Sequence, residues 1–485
     1  MIPSLYRTLG FVCSLFVLHL TYASPIDHPQ PSPAAISLPL IARQKRVYVP
    51  HNYDKSNSTK RFRVEESSTW KGALYYDTTE YLIEVGIGTS EPPQKFYFML
   101  DTGSNVMWVY SNGCPEEQCR RSRFNYEIRS STYKSSWDQI CYNYLDGTFI
   151  VGYLGKDVIT VGTIQVKDQL FVSVDEAIGV LHYDAKQDIN SIGMFGLAYS
   201  SKVDTRTVGK KDDKIVPTYY ETPLGNMKKQ GLIPKGMFSM YLGPDTKQDL
   251  SKGHILIGDY DINLIKEEPK FVSTRLDETS GLSEEYALYI EGFSLLRDAP
   301  SSIQDDHTQT VIQAVTQRPS SNAIDVIQEW NFSDRSDTPT NIAFDFDTGT
   351  TESFFYASYT IEMFKLITGT TEDPKGEDWD IDCSYQHSDT YLRLRISHEH
   401  KKAEADPDPN PLYLDVPISA FVKKKKNEAC KCQWTLGVKK PEEGSMMLGQ
   451  DFLRYFYLVH DFDNFQLGFA VPNDRSSRVS LKNNA

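Results

Sequence analysis

From Tyr81 onward, apolar and polar residues mostly follow the two-residue period of β-strands. The stretch "YLIEVGIG" at 81–88 alternates, and "QKFYFML" at 94–100 is a continuous apolar strand. Short segments of this kind, bounded by Gly, Asp and Asn, recur to the C-terminus, with one helix indicated near 223–233. The pattern predicts an all-β protein with minor helix.

Two of these apolar strands end in the same tripeptide. Asp101 begins Asp-Thr-Gly-Ser and Asp347 begins Asp-Thr-Gly-Thr. A carboxylate at the end of a buried strand is costly to ionise unless it is paired, hydrogen-bonded or used in chemistry. A further pair, "SIGMFGLA" at 191–198 and "SMMLGQDFL" at 445–453, places apolar residues before a glycine. These repeats indicate an internal duplication, that is, two related lobes.

Two carboxyl groups within hydrogen-bond distance cannot both ionise cheaply, so they share a proton and titrate as a coupled pair. The ionised partner can act as general base on a water, while the protonated partner polarises a peptide carbonyl. We therefore predict that Asp101 and Asp347 are catalytic. The turn residues that follow should support them through backbone N–H groups and hydroxyls: Thr102, Gly103, Ser104, Thr348, Gly349 and Thr350.

Composition limits the class of protein. The 485 residues are 40% hydrophobic and 24% charged, which is enough for one large or two medium globular units. The formal net charge is −14, with an isoelectric point near 5.3. Because binding to a phosphate backbone needs a basic face, this charge argues against a nucleic-acid partner.

The N-terminus has the pattern of an export signal. Arg7 precedes the apolar stretch "LGFVCSLFVLHL" and then "TYA", which predicts a signal peptide over 1–23 and a soluble, exported protein without a membrane anchor. Residues 24–61 are rich in Pro and basic pairs. Residues 1–61 carry a net +5, which leaves −19 on residues 62–485. This asymmetry predicts an electrostatically docked propeptide over 24–61; a disordered linker is the alternative.

Export also changes the interpretation of the cysteines. Apart from Cys13 in the signal peptide, six cysteines remain, which suggests three disulfides in an oxidising compartment. The "CKC" at 430–432 lacks the second close Cys or His pair that a zinc site needs. The "SHEH" at 397–400 lies in a charged turn after the alternating strand "YLRLRI", which favours a solvated surface over a metal site. We therefore predict no metal and no other cofactor.

The ordered motifs resemble those of the pepsin-like aspartic endopeptidases. The resemblance runs from about Tyr81 to Ala470 and includes both Asp-Thr-Gly segments, "YLDGTFIVGYLGKD" and "MMLGQDFLRYFYLVHDFDNFQLGFA". It implies a bilobal all-β fold, with two related six-stranded-type lobes around a central cleft and minor helices. The lobes would cover 62–265 and 266–485.

The resemblance also implies several residue roles. A β-hairpin flap with Tyr144, Asp146 and Gly147 would close over substrate, and Tyr144 would pair with Trp108. In the first lobe Cys114 would bond to Cys119. In the second lobe Cys383 would bond to Cys430 or Cys432, which leaves Cys141 and the other cysteine undecided.

Three departures from the family pattern concern the cleft and the surface. Leu145 stands where the family usually has Gly, and the stretch from about Asp298 to Thr340 is expected to be a surface insertion with a glycosylation sequon at Asn331. The expanded segment "SSKVDTRTVGKKDDKIVPTYYET", which follows the first glycine motif, is expected to be a solvated loop.

These features together predict a monomeric aspartic endopeptidase made as a zymogen. It would cleave protein or peptide substrates in acid, either outside the cell or in an acidic vacuole. One alternative is an inhibitor or binding protein that has lost catalysis on the same fold. A metallohydrolase using the acidic clusters is the third interpretation.

Overall fold

The structure is a computed structural model. It describes residues 70–76, 80–92, 94–115, 118–119, 130–144, 149–178, 191–207, 215–243, 253–275, 285–298, 324–332, 342–374, 379–398, 408–425, 431–441 and 444–481. The predicted signal peptide and propeptide lie outside these residues. Ser67–Ala485 forms one compact unit.

The first half of the described chain is almost entirely β-structure. Its strands are β1 (Trp70–Tyr76), β2 (Tyr81–Ile87), β3 (Gln94–Asp101), β4 (Trp108–Tyr110), β5 (Lys134–Asn143), β6 (Phe149–Val161), β7 (Ile164–Ile178), β8 (Ser191–Gly196), β9 (Ser201–Thr207), β10 (Ile215–Tyr220), β11 (Met237–Tyr241) and β12 (Gly253–Ile257). The predicted helix near 223–233 is shorter than expected and forms α1 (Pro223–Lys229), which the side chain of Thr222 caps.

The second half has the same character. Its strands are β13 (Lys270–Ser273), β14 (Ala287–Asp298), β15 (Ile324–Asn331), β16 (Ile342–Phe346), β17 (Phe354–Tyr356), β18 (Trp379–Ile381), β19 (Thr390–Ile396), β20 (Leu412–Pro417), β21 (Val422–Lys424), β22 (Cys432–Trp434), β23 (Gly437–Lys439), β24 (Met446–Leu448), β25 (Tyr457–Asp461), β26 (Gln466–Ala470) and β27 (Arg478–Leu481). Two helices accompany them, α2 (Ala357–Thr368) and α3 (Gln450–Leu453). None of the helices in the described ranges is long and apolar enough to cross a membrane.

The described strands form three sheets. The largest has 15 strands in the order β10-β9-β5-β6-β7-β4-β8-β3-β2-β1-β12-β11-β25-β26-β13, so strands from both halves of the chain share it. The second runs β23-β17-β24-β16-β14-β19-β20-β27, with β15 paired to β14, and the third runs β18-β22-β21. The predicted all-β class is therefore confirmed.

The strand before each Asp-Thr-Gly is arranged in the same way in both halves. β3 lies parallel to β8, with Leu100 opposite Phe195. β16 lies parallel to β24, with Phe346 opposite Leu448. All four of these side chains are buried. The two glycine motifs thus supply equivalent strands beside the two Asp strands, as an internal duplication requires.

Two segments expected to be surface loops contribute strands instead. Residues 324–331 form β15, which pairs with β14, although 299–323 and 333–341 lie outside the described residues. The expanded segment after the first glycine motif forms β9 and β10, and β9 pairs with β5, the strand that leads to Tyr144. Its β-branched and aromatic residues, such as Ile215 and Tyr219, favour this extended conformation.

The disulfides agree with the family pattern in the first half and decide between alternatives in the second. Cys114 is bonded to Cys119. Cys383 is bonded to Cys432, so the pairing with Cys430 is wrong. The register explains the choice: β18 pairs with β22 so that Ile381 lies opposite Cys432, which brings the two bonded cysteines to a Cα separation of 5.1 Å.

The remaining cysteines are only partly accounted for. Cys141 is also disulfide-bonded, but its partner lies outside the described residues. Cys430 lies outside them as well.

Candidate active site

Asp101 and Asp347 lie at the ends of equivalent strands. Asp101 is the last residue of β3, and Asp347 follows β16 directly. Both are buried, with 4% and 7% of their surface exposed. The apolar strand carries each Asp into the interior, and the Thr-Gly that follows turns the chain there. The two carboxyl groups lie close together, because a Cβ atom on Gly349 would be 2.5 Å from Oδ1 of Asp101 and 3.0 Å from Oδ1 of Asp347.

Each turn supplies two hydrogen bonds to its own Asp. The Gly103 N–H donates to Oδ1 of the Asp at 2.9 Å, and the Ser104 hydroxyl donates to Oδ2. In the second turn the Gly349 N–H donates to Oδ1 at 2.7 Å, and the Thr350 hydroxyl donates to Oδ2 at 2.6 Å. These donors orient both carboxyls in the same way and stabilise their charged forms.

The two turns are also bonded to each other through their threonines. The Thr102 hydroxyl donates to the carbonyl of Phe346 at 2.8 Å and accepts from the Thr348 N–H at 2.9 Å. Reciprocally, the Thr348 hydroxyl donates to the carbonyl of Leu100 at 3.0 Å and accepts from the Thr102 N–H at 3.2 Å. The sequence predicts that backbone N–H groups of the turns reach the carboxylates, but the two threonine N–H groups instead join one turn to the other.

The approach of the turns explains why each Thr is followed by glycine. A Cβ atom on Gly103 would lie 2.8 Å from Cγ of Asp347. On Gly349 it would lie 2.5 Å from Oδ1 of Asp101. Both distances are too short for a carbon atom, so any side chain here would push the carboxyls apart.

Burial raises the pKa of Asp101 well above its usual value. The negative charge of Asp347 and the hydrogen bond between the two carboxyls raise it further, while the donors Ser104 and Gly103 act in the opposite direction. The pair therefore holds a proton to a higher pH than two separate acids would. Such a pair can offer one carboxyl as an acid and the other as a base.

Tyr144 follows β5 and lies close to this pair. Its hydroxyl accepts a hydrogen bond from Nε1 of Trp108 at 2.7 Å. Burial raises the pKa of Tyr144 well above its usual value, and the nearby Tyr142 and Asp101 add to the effect. The structure thus brings Tyr144 and Trp108 together beside the first Asp.

The remaining predicted residues belong to the flap and to a candidate metal-binding segment. Asp146 and Gly147 of the flap are outside the described residues. In the "SHEH" segment, Nδ1 of His398 contacts Asp408 at 3.1 Å. Within the described ranges, no group of three or more His, Cys, Asp or Glu side chains is arranged to hold a metal ion.

A cavity of about 330 Å³ lies in the second half of the chain. Its walls come from β14, α2 and the 3-10 helix Cys383–His387, and include Leu295, Leu366 and Tyr385. No residue of either Asp-Thr-Gly turn lines it. The cavity is therefore separate from the candidate active site.

Sequence comparison agrees with the geometry of the two turns. Residues 80–471 match the family model "Eukaryotic aspartyl protease". The chain belongs to this family.

Individual aspartyl proteases match over different lengths. Mucorpepsin of Rhizomucor pusillus is 28% identical over 467 residues, which covers 93% of this chain and 94% of that protein. A vacuolar aspartic protease of Candida albicans is 32% identical over 220 residues, and aspartic proteinase A2 of Arabidopsis thaliana is 35% identical over 198 residues. The chain spans only 48% and 34% of the lengths of these last two relatives.

The aspartyl protease fold is also found by comparison with solved structures. The crystal structure of an aspartic proteinase from Irpex lacteus matches with a TM-score of 0.56 and covers 84% of this chain and 99% of that one. Because the identity is 16%, this likeness concerns the fold alone. It confirms the predicted bilobal all-β class.

One further acidic residue lies close to Asp347 and was not among the predicted site residues. Asp345 lies in β16, two residues before Asp347. Burial raises the pKa of Asp345 to about 7, and the charge of Glu285 is the next largest cause. The signal in the sequence was a lone acid inside the otherwise apolar "IAFDF".

The crossed threonine bonds make a prediction about stability. Thr102→Val keeps the shape of the side chain but leaves the Thr348 N–H and the Phe346 carbonyl without a buried partner. An unsatisfied buried group costs about 1–3 kcal/mol, so we expect the free energy of unfolding in urea to fall by about 2–5 kcal/mol.

Thr360→Val is the matched control. Thr360 is equally buried, but its hydroxyl makes one hydrogen bond, to the Gly437 carbonyl at 3.2 Å. It should cost about 1 kcal/mol. Equal losses for the two variants would show that the crossed bonds add nothing special.

Proposed function

We propose that this chain is an aspartic endopeptidase that hydrolyses peptide bonds at acidic pH through Asp101 and Asp347. The observation that carries the proposal is the pair of buried, neighbouring carboxyls held by matching turns. Membership of the aspartyl protease family supports the same reaction type.

The dyad would activate a water without forming a covalent enzyme intermediate. The ionised carboxyl takes a proton from the water as it attacks the peptide carbonyl carbon. The protonated carboxyl donates a hydrogen bond to the carbonyl oxygen and stabilises the charge that develops there. Transfer of that proton to the oxygen gives a tetrahedral diol. The diol collapses when the carboxyl that took the proton from water passes it to the amide nitrogen, which leaves as the amine, while the other carboxyl takes a proton back from the diol.

The surrounding residues would hold the carboxyls and the substrate in the positions that this proton transfer needs. The hydroxyls of Ser104 and Thr350 donate to Oδ2 of the preceding Asp, while the glycine N–H groups donate to Oδ1. Because both oxygens are held, neither carboxyl can rotate freely. Tyr144, held by Trp108, would cover the substrate and limit access of bulk water. The flap residues Asp146 and Gly147 would complete this cover.

An inactive binding protein on the same fold is the second candidate. Loss of catalysis on such a scaffold removes an Asp or the flap Tyr, and this chain keeps all three. A statine-type transition-state mimic separates the interpretations, because it should block acid hydrolysis of casein. Sensitivity to EDTA instead would indicate a metallohydrolase.

The dyad makes the first prediction about activity. Asp101→Asn and Asp347→Asn should each lower kcat/KM by at least about a hundredfold, because general acid and base need two carboxyls. The wild-type pH profile should be bell-shaped and lie in acid. Activity falls as pH rises through the raised pKa of Asp101, since both carboxyls then ionise.

Steady-state hydrolysis of a casein-derived peptide measures this loss, and thermal unfolding shows that each variant is folded. If a folded variant kept wild-type activity, the substituted Asp would not take part in hydrolysis.

We further propose that residues 24–61 are a propeptide and that the mature enzyme is secreted or stored in an acidic vacuole. Two relatives are named as vacuolar, from Candida albicans and Aspergillus fumigatus. The basic residues of 24–61 can pair with the dyad at neutral pH, and protonation of the acids would weaken that pair. The dibasic Lys60-Arg61 precedes the segment where the mature chain should begin, at or near Phe62.

Processing of the Asp101→Asn chain in cells tests this origin. N-terminal sequencing of wild-type enzyme should give a start at or near Phe62. If the inactive variant is still trimmed there, another protease makes the cut; if it accumulates with 24–61 attached, the enzyme processes itself. A wild-type enzyme that retains 24–61 while fully active would contradict the propeptide.

A further inference from the structure

Asp345 faces the same side of β16 as the catalytic Asp347. Successive side chains of a strand point to opposite faces, so positions 345 and 347 share one face while 344 and 346 share the other. Phe344 packs against Phe355 and Phe346 against Phe469, in the interior. The face of Asp345 is therefore the one that carries the dyad.

The carboxyl of Asp345 has no hydrogen bond or ion pair with any residue in the described ranges, and its Oδ1 is buried without a partner. Its neighbours across the sheet are Ala287 in β14 and Met447 in β24, neither of which offers a polar side chain. Asp345 is partly exposed, but its Oδ1 is buried, and a buried carboxyl oxygen without a partner is costly, so an apolar residue would fit this position better.

The fully buried acids of the region contrast with Asp345. Asp101 and Asp347 are each held by two donors from their own turn. Asp451 bonds the Ser353 hydroxyl, the Ser353 N–H and the Phe452 N–H. Among these acids, only Asp345 has no partner within the part of the chain that the structure describes, which leaves its carboxyl available to a group of a bound molecule.

Charged groups surround Asp345 without contacting it. Those that act on it electrostatically are Glu285, which precedes β14, Arg275, which follows β13, Lys439 in β23, and Asp347. Tyr356 in β17 also lies near enough to be affected by its charge. Three acids, including Asp345 itself, therefore face two bases.

We propose that Asp345 is a specificity-determining residue that binds the cationic side chain of a Lys or Arg in the substrate, close to the scissile bond. This inference rests on the proposed endopeptidase function. Asp345 and Asp347 are two residues apart along the chain, a separation of about 7 Å in a strand. A Lys or Arg side chain of the substrate could span this distance from a position within two residues of the cleaved bond. The ammonium or guanidinium would supply the missing partner of the carboxyl.

The proposal implies an unusual dependence on pH. With a pKa raised to about 7, Asp345 is mostly protonated in acid. A bound cation stabilises the carboxylate, so binding of Lys releases a proton and becomes more favourable as pH rises. Preference for a basic residue should therefore grow toward neutral pH, in the range where the dyad is still active.

The test uses peptide pairs that differ at a single position within two residues of the scissile bond, with Lys in one peptide and norleucine in the other. Norleucine has the stem of Lys without the ammonium. The readout is the ratio of the two kcat/KM values. At one position we expect wild type to prefer Lys by about tenfold at about pH 6.5, the size of one charge-assisted hydrogen bond, and less at about pH 4.5.

Variants assign the preference to this carboxyl. Asp345→Asn should lower the Lys/norleucine ratio about tenfold, and Asp345→Glu should retain a preference for Lys. Asp325→Asn is the matched control, because Asp325 is an exposed acid of the same half that lies in β15. It should leave the ratio and its pH dependence unchanged.

The outcomes separate this inference from the function on which it rests. No hydrolysis of either peptide or of casein by mature wild type would mean that the proposed function fails. Active wild type with a ratio near one at every position, or with no increase toward neutral pH, would overturn the role of Asp345 alone. A Lys preference that Asp345→Asn leaves intact would also overturn it.

Discussion

The contact between the carboxyls of Asp101 and Asp347 is the interaction on which the rest of the site depends. Two neighbouring carboxyls in a buried position cannot both be ionised without a large cost in free energy, so one proton stays with the pair. The glycine N–H groups and the hydroxyls of the two turns stabilise the remaining charge. The same groups fix the orientation of each carboxyl, so the hydrogen bonds that support the turns also place the two acids.

The architecture around the pair serves to hold two chain segments at this separation. Each Asp strand lies beside a parallel strand from a glycine motif, β8 for β3 and β24 for β16. The threonine hydroxyls then fasten turn to turn, and the glycines leave room for the opposing carboxyl. Residues from distant parts of the chain are thereby fixed more firmly than either loop could be alone.

Much of this could be predicted from the sequence, because the repeated Asp-Thr-Gly after an apolar strand is a local pattern. The alternation also predicted the all-β class. Other features depend on contacts between distant residues. The choice of Cys432 over Cys430 as the disulfide partner of Cys383 follows from the register of β22 with β18. Residues 201–207 form β9 because they pair with β5. The crossed threonine bonds and the missing partner of Asp345 emerge only when both turns and their neighbours are assembled.

We infer that Asp101 and Asp347 share one proton at the pH of activity. Neutron diffraction from crystals of the mature enzyme at acidic pH locates that proton directly. We expect carboxyls within hydrogen-bond distance and a single proton on the pair, with the glycine N–H donors in place. Carboxyls too far apart to share a hydrogen bond, or a pair that carries no proton at that pH, would contradict it.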